Sequence, residues 1–110
     1  MNELTEVRQI VPELIRATKA GRLQWSGEAG KSSFTTEIGG HKLEIERGEY
    51  TSGPGIYLWL WADSSHLIDS NYSPDTIGAA SELAELYLII QRAVNDVPGV
   101  LASIVAKLRG

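Results

Sequence analysis

A chain of 110 residues with ten Lys and Arg against fourteen Asp and Glu, and no cysteine, has room for a single domain over 1–110 with one core. The missing cysteines exclude a disulfide framework and thiolate metal sites, and a net charge of −4 with scattered basic residues argues against nucleic acid as a partner. No run approaches the ~18 to 20 apolar residues of a membrane helix, and the first residues are acidic rather than a basic leader, so a soluble, cytoplasmic protein with no membrane partner is expected.

Leu4, Val7, Val11, Leu14 and Thr18 recur at three- and four-residue steps and predict an amphipathic helix that Gly21 stops. Pro12 lacks the N–H an interior position needs, so a kink or a fresh helix start is expected near Val11 and Pro12. Leu23 and Trp25 alternate in a first strand candidate, followed by a loop over residues 27–31. Residues 33–38 and 41–47 are joined by Gly39-Gly40, a connection suited to a tight primed turn. That register sets Phe34 opposite Ile45, Thr36 opposite Leu43 and Ile38 opposite His41 on one face. Thr35 opposite Glu44 and Glu37 opposite Lys42 fall on the other, so turn length and hydrophobic pattern agree.

A loop over residues 48–55 is expected before residues 56–61, Ile-Tyr-Leu-Trp-Leu-Trp. Alternation puts Ile56, Leu58 and Leu60 on one face of this strand and Tyr57, Trp59 and Trp61 on the other. An antiparallel sheet backed by helices usually shows water a polar second face, so the aromatic row calls either for a cover within the chain, such as the loop around Tyr50 or the Lys42 side chain, or for a partner. Residues 63–66 read as a turn, Leu67 and Ile68 as a short edge strand, and residues 69–78 as a crossing loop. Two helices close the order, one with the stripe Leu83, Leu86, Tyr87, Ile90 and Val94, the other with Val97, Leu101, Ile104, Val105 and Leu108. Asp96 is placed to cap the second, with Pro98 in its first turn. Leu88 and Ile89 lie on opposite flanks of the first stripe, so the last helix or another subunit is expected to touch them.

No catalytic, cofactor or metal constellation emerges. Gly30-Lys31-Ser32 lacks the earlier glycine and the following helix of a phosphate loop. Asp69, Asn71, Ser73 and Asp75 begin like a calcium loop, but Pro74 and Ala80 stand where glycine and a bidentate glutamate are required. Asp63, Ser65 and His66 are too close in one turn to align as a triad, and His41 and His66 do not make a zinc pair. Single-stranded nucleic acid, which stacks on aromatic platforms, would meet Glu37, Glu44 and Glu46 where basic residues are needed.

Ala17-Thr18-x-x-Gly21-x-Leu23-x-Trp25, Phe34-x-Thr36, Gly40-x-x-Leu43-x-Ile45, the strand ending at Asp63, and Leu83-x-x-Leu86-Tyr87 with Arg92 together resemble a loose class of small, mostly uncharacterised bacterial domains. That class joins a helix, an antiparallel meander and C-terminal helices; the resemblance implies a fold and an interaction role, and no activity. The expectation is an α+β domain: a four- to five-stranded antiparallel meander with an N-terminal helix and two C-terminal helices packed on one face. The expected function is non-enzymatic protein interaction, with a homodimer or another protein held through Tyr57, Trp59 and Trp61 or through Leu88 and Ile89. The alternative is a small-ligand binder that uses Tyr57, Trp59 and Trp61 as a stacking platform.

Overall fold

The structure, a computed structural model, describes residues 4–28, 31–63, 65–74 and 81–110. Gly30, Ser64, Asp75 and Ala80, which enter the loop motifs above, lie outside them, as does the part of the expected crossing loop beyond Pro74.

The N-terminal stripe forms a 3-10 turn, Val7–Ile10, continuing into helix α1, Val11–Lys19. Pro12 sits in the first turn of α1, where no helical N–H bond is lost, so the interruption is a fresh helix start. Gly21, at φ +74°, ends the segment in the left-handed region that glycine tolerates.

Four strands follow: β1 Ser33–Ile38, β2 His41–Tyr50, β3 Gly53–Asp63 and β4 His66–Pro74. They form one antiparallel meander in the order β1-β2-β3-β4. The first hairpin has the register the side-chain pattern demands, from Phe34 opposite Ile45 to Ile38 opposite His41. Gly39 and Gly40 have φ of +59° and +81°, as a primed turn requires.

Three segments depart from the sequence reading. Residues 48–55 are not a loop: β2 and β3 pair as far as Tyr50 opposite Gly53, with Gly48 opposite Gly55 between them. The expected short edge strand and the start of the crossing loop are one nine-residue strand, β4. Two of its polar side chains find partners there: the Val7 N–H donates to Asp69 Oδ2 at 2.7 Å, and Ser73 donates to Ser81 at 2.8 Å. The strand expected at Leu23 and Trp25 shrinks to a single bridge between Ser26 and Thr35. Side chains replace the ladder around it, Thr36 donating to the Gln24 carbonyl at 2.8 Å and the Trp25 indole to the Thr18 hydroxyl at 3.1 Å.

Helix α2, Glu82–Val94, starts at Ser81, whose hydroxyl accepts the Ala84 N–H at 3.0 Å. With α1 it covers the sheet face carrying Phe34, Leu43, Ile45, Ile56 and Leu58, and Leu83, Leu86, Tyr87 and Ile90 complete the core. Helix α3, Val97–Leu108, follows an Asp96 cap whose carboxylate accepts the Gly99 N–H, with Pro98 in its first turn. The α+β arrangement is therefore as expected, but α2 alone of the two C-terminal helices joins the packed layer. Helix α3 buries no residue and diverges from α2 by 47°. The molecule is accordingly long, 55 × 32 × 30 Å, with a radius of gyration of 15.6 Å against the ~13 Å of a compact domain this size.

Candidate interaction surfaces

The aromatic row lies on the sheet face opposite the helices, and its own monomer covers much of it. Tyr57 is buried, while Trp59 and Trp61 are half-buried. Tyr57 and Trp59 stack at 5.5 Å, and Tyr50 meets both edge-on at 5.0 and 5.4 Å. Tyr72 closes the other side, 4.8 Å from Tyr57. The Tyr57 hydroxyl donates to the Gly53 carbonyl, and the Tyr72 hydroxyl to Pro54 at 2.9 Å. A Cβ on Gly48 would lie 3.1 Å from the Tyr50 ring, so the bare backbone there lets the ring lie back along β2.

The Tyr50 hydroxyl donates to the Glu46 carboxylate at 2.8 Å. That bond, partial burial and the charges of Glu46 and Glu44 hold the phenol above the usual tyrosine range. Between the β2–β3 turn and β4 the rings leave a hollow of about 370 Å³ lined by Tyr50, Tyr57, Trp59, Ser70 and Tyr72. Trp61 stands apart from it, next to the register shift against β4, and its indole N–H is buried without an acceptor among the described residues. Tyr50 covers the row as expected of the segment around it, although from a strand and not a loop, whereas Tyr72 was missed because it fell in the expected crossing loop. Once β2 and β4 extend, strand alternation puts Tyr50 in phase with Glu44 and Glu46, and pairing sets Tyr72 opposite Tyr57.

On the helical side, Ile89 is half-buried against the core and Leu88 is 54% exposed. Helix α3 makes the larger apolar surface, with Val100, Leu101, Ile104, Val105 and Leu108 between 40% and 81% exposed. At 3.6 residues per turn these five and Val97 share one broad stripe, opposite Gly99, Ala102, Ser103 and Ala106. Among the described residues no single helix is long and apolar enough to cross a membrane; α2 and α3 reach that composition only together, across their bend. Helix α2 spends its apolar stripe on the sheet.

Asp63, Ser65 and His66 meet in the β3–β4 turn, where Asp63 pairs with His66, as turn chemistry and not as a triad. His41 lies at the rim of the core face, His66 opens β4, and Asp63 accepts the Ser65 N–H at 2.9 Å and the Ser65 hydroxyl at 3.0 Å, which holds its carboxyl below the ordinary range. No three His, Asp or Glu side chains gather as a metal site among the described residues. Comparison with family models, with curated proteins and with solved structures finds no match.

Proposed function

We propose that this chain is a non-enzymatic interaction module that pairs with another copy of itself, with α3 as its contact element. The observation that carries this is the apolar stripe of α3, with five exposed aliphatic residues and not a single buried one. An isolated twelve-residue helix is marginal in water, so a stripe of this width needs a surface to stabilise it. A second copy is the most economical supplier, since two-fold pairing is the commonest closed assembly. The expected result is a mass that doubles by light scattering across a concentration series, with Leu101→Glu holding the chain monomeric and Trp59→Glu leaving the dimer in place. A parent that stays monomeric throughout, or a dimer indifferent to Leu101→Glu, would refute it.

A second reading is favoured by the aromatic hollow. Three tyrosines and a tryptophan beside Glu44 and Glu46 present ring faces and negative charge to a small organic cation. Titration with tetramethylammonium is expected to change Trp59 emission in the parent and not in Tyr50→Ala; identical responses would discard the ligand reading.

A further inference from the structure

The helix layer leaves one end of the core face open. There Ile10, Ile38, His41, Leu43, Leu60 and Ile68 line an apolar hollow of about 240 Å³. Ile38 and Ile68 are 44% and 48% exposed, although both are large aliphatic residues beside the core. The hollow continues past Ile10, Leu60 and Ile68 into a second of about 370 Å³, bordered by Leu4, Glu6 and Asp69. Sharing Ile10, Leu60 and Ile68, the two hollows together border residues of all four strands, from Ile38 and His41 beside the β1–β2 turn to Val7 of the 3-10 turn, and are treated as one groove. At ~4.8 Å between strands this path is ~14 Å across the sheet, and longer to Leu4. Helix α3, twelve residues at ~1.5 Å each, is ~18 Å long and fits it.

We infer that this groove is the seat of α3 from a second copy, so that two chains exchange their last helices reciprocally. The inference rests on the self-association proposed above and adds where the helix docks. Three observations choose a second copy as the occupant. Helix α3 leaves its own domain without burying a residue, while the face on which a packed C-terminal helix would lie keeps an apolar vacancy. The charges complement: residues 97–110 hold Lys107, Arg109 and no acid, whereas the rest of the chain holds all fourteen carboxylates against eight Lys and Arg. Glu6, ion-paired with Arg8, and Asp69, which accepts the Val7 N–H, stand at one end of the groove, where the basic end of a docked α3 would meet them. The area also requires reciprocity. Five half-exposed aliphatic side chains present roughly 400 Å² per helix, so one docked helix falls short of a stable interface, and two helices in two grooves reach the ~1,200 to 2,000 Å² it needs.

The absence of cysteine makes the test direct. Ile104→Cys is mixed with Ile68→Cys, each as a full-length chain, and oxidised; Thr35→Cys, on the opposite sheet face, replaces Ile68→Cys in the control. At least tenfold more covalent heterodimer is expected with Ile68→Cys than with Thr35→Cys. Light scattering is run on the same variants, and the parent is tested for co-sedimentation with phosphatidylserine-containing vesicles. A dimer that gives equal cross-linking in both mixtures would overturn the proposed seat and leave self-association standing. A monomer at every concentration would overturn both, and a monomer that binds the vesicles would assign α3 to a lipid surface instead.

Discussion

Phe34→Ala is expected to lose about 3 to 5 kcal/mol in urea denaturation, enough to threaten a domain whose total stability is of order 5 to 15 kcal/mol. Phe34 is fully buried near the start of β1, its ring 5.8 Å from that of Tyr87 on α2, so it joins the sheet to the helical layer. The space around it is tightly filled: a Cβ on Gly27 would come within 2.5 Å of the Phe34 ring. Such packing leaves little freedom for collapse into the vacated volume, and the cavity cost adds to the lost transfer energy. Trp59→Ala removes a larger side chain from a half-buried site and is expected to cost less, because water can enter the space it leaves. Equal losses for the two variants would show that the aromatic face is as essential to the fold as the helix-covered face.

Ending the chain after Asn95 is expected to have the opposite profile. A whole helix disappears, yet at concentrations where the full chain is monomeric the unfolding free energy should change by less than about 1 kcal/mol, since no residue of α3 is buried. Association should vanish, with the mass fixed at one chain at every concentration. The contrast decides what α3 is for. If the shortened chain lost as much stability as Phe34→Ala, α3 would be part of the monomer's own packing, and its exposed stripe would not be an interface.

Short-range pattern was sufficient for much of this architecture. The register of β1 and β2 follows from a two-glycine turn and from Phe34, Leu43 and Ile45, which reach one face in only one alignment. The restart at Pro12 and the capping of α3 by Asp96 follow from local backbone chemistry. The aromatic row on the second face of β3 likewise follows from alternation alone. Tertiary pairing decided the remainder. Gly48 and Gly55 read as loop residues, but opposite one another they form a bare lane that Tyr50 covers. Asp69, Asn71 and Ser73 read as a polar connection, but β3 offers them a backbone to pair with, and Val7 and Ser81 satisfy two of their side chains. The course of α3 was settled at the same level: periodicity identifies an apolar stripe but not the surface that receives it. A stripe is a property of one helix, whereas burial is a property of two surfaces, and only the assembled sheet shows that α3 buries no residue while an apolar hollow beside the core stays uncovered.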